Sequence, residues 1–375
     1  MEKFTLMGLG GANNLVPYDI NMFKRNYSLN TGNLLFNYAA EIVAQTTSHN
    51  FSWGSDCRVI NKNNNTKGLL LPMANHLGKH VDLSVSGPKI KGVEKPIVVL
   101  GLGGQFDLND DAPEKHVPSG TVEWLDRVTN GKESRNISIR GHVTAKVLDR
   151  LGFSNNYEIL GCPSLLINPS ESLGAEIRRK YDSTSFEEMQ KTMSVSAGNP
   201  FKDKYSLLER SLIDLVDKES ADYIIQHPET LIKLSLGFDV SDEEDKVELI
   251  RRRWFPNLDK HQMVAWFLSK STVYTSVAQW FIDLSKKGFV VGTRIHGIQA
   301  AIQAGTPAIC LYIDTRTKEL CESMHIPCAP ADQFSNGVKA KDVFDIFESW
   351  DFTAFDKNRK KKALLTKSFL IDNNV

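Results

Sequence analysis

Between residues 289 and 324 two blocks that are apolar at nearly every position, 289–291 and 307–312, alternate with two amphipathic stretches, 295–304 and 315–324. A strand that is apolar on both faces must be covered on both faces. Alternation with helices at this spacing provides that cover only in a parallel sheet layered between helices. The amino-terminal half shows the same signature. Residues 4–7 form a buried block entering glycines, 33–45 place Leu34, Leu35, Tyr38, Ala39, Ile42 and Val43 at helical spacing, and 96–100 form a second apolar strand. Ile137 and Ile139 precede a helix that stops at Gly152, and 157–160 resume the sheet. Residues 54–95, rich in Asn, Gly, Lys and Pro, predict irregular connections. A polar, helix-prone stretch at 170–190 reads as a hinge, and 191–197 and 221–226 open a second series of strands. The expected architecture is α/β with two Rossmann-like domains facing a cleft: 1–175, 190–335, and two carboxyl-terminal helices in 336–375 that pack back on the first domain. At 375 residues and 41% hydrophobic content the chain can bury both cores.

Composition excludes several classes of function. Lys+Arg 45 against Asp+Glu 45 leaves no global basic field, so nucleic acid is not an expected partner. The five cysteines are odd in number and contain no CxxC pair, which predicts reduced thiols and no structural zinc. HExxH and DxD patterns are absent and the histidines are dispersed, so no metal is expected. No apolar run approaches the roughly 20 residues that cross a bilayer, and the first residues lack a signal-peptide block, so the expected location is the cytoplasm. Arg359-Lys-Lys-Lys362 fits a solvated helix face, with contact to the inner face of an anionic membrane as the second reading.

Two glycine clusters, Gly8-Leu-Gly-Gly11 and Gly101-Leu-Gly-Gly104, invite a dinucleotide reading and fail it. Asn13 and Phe106 stand where a third glycine is needed. The stronger signal is Thr293-Arg294-Ile295-His296-Gly297, where a buried strand becomes the first turn of a small-residue helix. A guanidinium and an imidazole at a helix amino terminus make a receiver for a carboxylate or phosphate. The plainer alternative is an ion-paired arginine beside a satisfied core histidine. Arg140 lies at a similar strand-to-helix junction, and Gly32 and Asn33 open the first long helix. Two arginines on facing domains suit a ligand with two anionic ends.

Taken together, Asn30-Thr-Gly-Asn33, Gly101-Leu-Gly-Gly-Gln105, Ile137-Ser-Ile-Arg-Gly141, Gly161-Cys-Pro-Ser164, Val291-Gly-Thr-Arg-Ile-His-Gly297, Ala304-Gly-Thr-Pro307 and Asp314-Thr-Arg-Thr-Lys-Glu319 resemble the polysaccharide pyruvyl transferase family. The resemblance implies a GT-B-like fold and a transferase that moves the enolpyruvyl carbons of phosphoenolpyruvate onto a sugar as a ketal, releasing phosphate. It implies no cofactor. Its partners would be phosphoenolpyruvate and a sugar acceptor, a lipid-linked glycan precursor being the favoured form. By the same resemblance Arg294, His296 and Arg140 are the catalytic candidates, with His296 as first choice for the acid, and Asn33, Gly32, Gln105, Thr293, Gly297 and Arg316 contact substrate. The base is left open among His142, His227, Glu229 and Asp314, and Trp53 is a candidate to stack on the acceptor. Two rivals stand beside this reading: a GT-B glycosyltransferase with a nucleotide-sugar donor, and a non-catalytic glycan-assembly protein.

Overall fold

The computed structural model describes residues 3–8, 17–27, 29–46, 54–108, 110–217 and 221–375. Its first half is built on a parallel sheet of six strands: β1 (Lys3–Leu6), β2 (Thr66–Pro72), β3 (Asn75–Leu77), β4 (Ile97–Gly104), β5 (Ile137–Ile139) and β6 (Tyr157–Ile159). The order is β1-β2-β4-β5-β6, with β3 against the end of β4. All eight residues of β4 are buried, as a central strand between two helical layers requires. The second half carries another six parallel strands: β7 (Met193–Ser196), β8 (Asp222–Ile224), β9 (Ser271–Thr272), β10 (Phe289–Gly292), β11 (Ala308–Tyr312) and β12 (Cys328–Pro330). Their order, β12-β11-β10-β7-β8-β9, reverses direction between β7 and β10. That reversal opens a crevice beyond the carboxyl ends of the two strands, the usual ligand position in such sheets. The α/β class with two Rossmann-like sheets is as the sequence predicts.

Five helices matter for the site: α1 (Gly32–Ala44), α2 (His142–Arg150), α3 (Ile295–Gln303), α4 (Thr315–Met324) and α5 (Phe352–Asp372). The strand β2 corrects the expectation of irregular chain over 54–95. Its apolar content is only Leu69, Leu70 and Leu71, hidden between Gly68 and Pro72, yet it fills the place between β1 and β4. Phe369 and Leu370 of α5 share a core with Phe4, Leu6, Leu70, Val98, Leu100 and Leu160 on one face of the first sheet.

The basic run on α5 is divided between the interior and the surface. Arg359 is buried, its Nε donating to the Leu165 carbonyl at 2.9 Å and its terminal nitrogens to the carbonyls of Asn168 and Ser170. Lys360 pairs with Glu171 at 2.5 Å, and Lys362 Nζ reaches the Ile159 carbonyl at 2.6 Å. Arg359 and Lys362 therefore help to hold the helix in place, whereas Lys360 and Lys361 remain exposed. Among the described residues no helix is long and apolar enough to cross a membrane.

Candidate active site

At the crevice, Gly292 at the end of β10 lies opposite Ser196 at the end of β7. The strands approach so closely that a Cβ on Gly292 would stand 2.2 Å from the Ser196 carbonyl oxygen, so only glycine fits. Arg294 follows in extended backbone as the residue that caps α3. Ser196 Oγ donates to the Arg294 carbonyl at 3.1 Å and accepts from Gln226 Nε2 at 3.0 Å, which fixes the turn. Every residue of α3 is buried. Thr293 and His296 are buried with it, and Phe36 of α1 packs its ring 5.6 Å from that of His296.

The first half supplies the other wall. Arg140 leaves β5 fully buried, and its side chain lies along the end of β4: a Cβ on Gly103 would fall 2.6 Å from Arg140 Cδ. Its Nε donates to the Gly101 carbonyl at 2.9 Å and Nη2 to the Met73 carbonyl at 3.4 Å. The Gly101–Gly104 cluster is thus a bed for this arginine. Arg316, in the first turn of α4, stands 3.5 Å from Asp314 Oδ2, while Asp314 Oδ1 caps the helix by accepting from the Thr317 N–H at 2.9 Å.

These groups feel one another. Burial pushes His296 well below the usual histidine range, and the charges of Arg140, Arg316 and Arg294 push it further the same way. Arg294 is lowered to about 10 by burial and by Arg316, against the opposing pull of Glu209, Tyr223 and Asp314. Arg140 is lowered by burial, with Glu319 pulling the other way. Arg140 Nη1, Arg294 Nε, Arg316 Nε and His296 Nε2 are buried and have no hydrogen-bond partner in the protein. Withdrawing an ion from water costs on the order of several kcal/mol. Guanidinium N–H groups converging from two halves of a chain are best satisfied by an oxyanion.

Two carboxylates that sequence reasoning did not assign hold the frame. Glu209 Oε1 accepts from the Gly198 N–H at 3.0 Å and from the Tyr223 hydroxyl, and burial raises its pKa. Glu319 accepts from the Thr144 N–H at 2.6 Å and from Thr144 Oγ1 at 2.9 Å, so it caps α2 from the opposite half; burial raises its pKa too. Glu319 closes the last segment of the family resemblance, whereas Glu209 sits in no motif.

The remaining candidates separate. Gln105 and Asn33 are half-buried at the end of β4 and in the first turn of α1. Gly32 and Gly297 are tightly packed. A Cβ on Gly32 would meet Gln226 Oε1 at 2.5 Å and His296 Nδ1 at 2.9 Å, and one on Gly297 would meet Ser196 Oγ at 2.2 Å. Their N–H groups are also taken, by Asn30 Oδ1 and by the Arg294 carbonyl. Of the candidate bases, Asp314 caps α4, Glu229 pairs with Lys24 at 2.8 Å, and His142 lines a separate hollow with Glu322 and Lys361. His227 Nδ1 meets the Leu29 carbonyl at 3.1 Å, and its pKa is lowered by burial and by Arg294. Trp53, Asn13 and the Leu9-Gly10-Gly11 part of the first glycine cluster lie outside the described residues. Among the described residues no group of three His, Cys, Asp or Glu side chains is placed to hold a metal.

Fold and site together define an α/β protein of two parallel sheets, with buried arginines from both halves gathered where the sheets meet. The family model for polysaccharide pyruvyl transferase matches residues 76–315, well over half of the chain, and the protein belongs to that family. No curated protein matches the sequence. Among solved structures it is similar to UDP-N-acetylglucosamine 2-epimerase from Rickettsia bellii, at 12% identity over 98% of this chain and 87% of that one, with a TM-score of 0.47.

Proposed function

We propose that the protein transfers the enolpyruvyl group of phosphoenolpyruvate to a sugar of a polysaccharide or glycolipid precursor, forming a pyruvate ketal and releasing phosphate. The family supports a polysaccharide pyruvyl transferase in general. The observation that carries the donor is the convergence of Arg140, Arg294 and Arg316 with unpartnered buried N–H groups around His296. Phosphoenolpyruvate carries a carboxylate and a phosphate on one small frame, which suits cations arriving from both halves. The nucleotide-sugar reading gains no support from the family assignment.

His296 is neutral in this field, so it is no acid until the donor arrives. The donor's negative charges offset the three arginines and let the imidazole take a proton. His296 then protonates the methylene carbon, a sugar hydroxyl adds to the central carbon and returns its proton to the imidazole, and the C–O bond to phosphate breaks. A second hydroxyl closes the ketal, its proton leaving with the phosphate. The arginines stabilise the departing dianion.

The test is phosphate release from phosphoenolpyruvate with a panel of glycolipid and nitrophenyl-glycoside acceptors, run beside Arg294→Ala. Acceptor-dependent release that falls by about 100-fold or more in the variant is the expected result. Saturable binding of a nucleotide sugar, with indifference to phosphoenolpyruvate, would overturn the reading.

A further inference from the structure

The glycine bed of Arg140 has a polar neighbour that the donor chemistry leaves unused. β3 pairs with the end of β4, Asn75 opposite Gly103 and Leu77 opposite Gly104, so Asn75 stands beside the glycine that receives Arg140. The Asn75 side-chain amide donates to Gln105 Oε1. Its backbone carbonyl accepts from His80 Nε2 at 2.6 Å. The His80 ring folds over Gly78, whose φ of 143° and crowded α-carbon leave no room for a side chain. One residue on, His76 Nδ1 accepts from the Ala74 N–H at 2.9 Å, which places the proton of the neutral ring on Nε2. Burial, then Arg140 and His80, hold His76 down to about 3, so it adds no positive charge beside Asn75.

The chemistry of this array is specific. The bond between Asn75 and Gln105 uses one amide N–H and one oxygen, leaving Asn75 Oδ1 and the Gln105 amide N–H groups as acceptor and donor side by side. A hydroxyl both gives and receives a hydrogen bond, so it needs one of each, and no carboxylate or ammonium stands among the four side chains. Asn75 and Gln105 are half-buried and so within reach of a ligand. We infer that Asn75 and Gln105 form the acceptor subsite and hold a neutral pyranose through its hydroxyls, beside the donor at Arg140. The inference rests on the reaction proposed above.

Its test uses the full chain loaded with phosphoenolpyruvate and the methyl glycosides of glucose, galactose, mannose and N-acetylglucosamine, followed by saturation-transfer NMR. Thermal stabilisation by phosphoenolpyruvate is measured alongside as a check that the donor side is intact. At least one glycoside should bind the wild type, and Asn75→Ala and Gln105→Ala should each weaken it by about tenfold with the donor shift unchanged. Unchanged glycoside affinity in the variants, or no glycoside bound by the loaded wild type, would overturn the inference. Absence of any donor shift in the wild type would count against the donor reading instead, and glycoside binding would then be read without it.

Discussion

His296 is held neutral by burial and by three neighbouring guanidinium groups, and that state has a measurable consequence. Its folded pKa lies below the ordinary value of about 6.5, so at neutral pH the free protein carries no proton there. A donor that offsets the arginines raises that pKa, and binding must then draw a proton from solution. Donor affinity should accordingly rise as pH falls from about 8 toward about 6.5. Titration calorimetry in two buffers of different ionisation enthalpy should show net uptake, and His296→Gln should remove it. Equal heats in both buffers would show that His296 never takes the proton. Thr293-Arg294-Ile295-His296 was legible as a candidate site because charged residues at the end of an apolar strand stand out along the chain. The carboxylates behind it were not: Glu209 meets Gly198 and Tyr223 only through the fold, and its own helix gives no sign of it.

The strand β4 shows what a run of glycines means at the scale of an element. Gly101-Leu-Gly-Gly104 fails as a dinucleotide loop because it is a strand end, shaped to let Arg140 lie across it. Gly103→Ala should push that side chain from its bed and raise the dissociation constant for phosphoenolpyruvate by about tenfold or more, an effect of one displaced buried contact. Circular dichroism should show the fold retained; donor affinity equal to the wild type would contradict the role given to Gly103. The β10–α3–β11–α4 segment was legible almost to the residue, since continuous apolar strands and amphipathic helices leave strong periodic signals. β2 and β3 were not, because three leucines between a glycine and a proline carry too little pattern, and a strand of three residues carries none. What fixes them is pairing with β4, a long-range contact.

Across the whole molecule the two sheets meet through bonds that cross the halves. Glu319 caps α2, the Phe106 N–H donates to Thr315 Oγ1 at 3.0 Å, and the Thr31 N–H donates to the Gln226 carbonyl at 3.1 Å. These contacts bring Arg140 to within electrostatic reach of Arg316 and His296, an arrangement that neither half makes alone. The parallel class of both sheets could be read from alternation, whereas the seam could not, because its partners lie 175 to 209 residues apart in the chain. The most direct measurement is a titration of phosphoenolpyruvate into the wild type, Arg140→Ala and Arg294→Ala. Removing one partner of a buried charge pair costs on the order of 2–5 kcal/mol, so the wild type should bind and each variant should lose about 30-fold or more. Wild-type affinity in either variant, or no binding by the folded wild type, would contradict a donor site built from both halves.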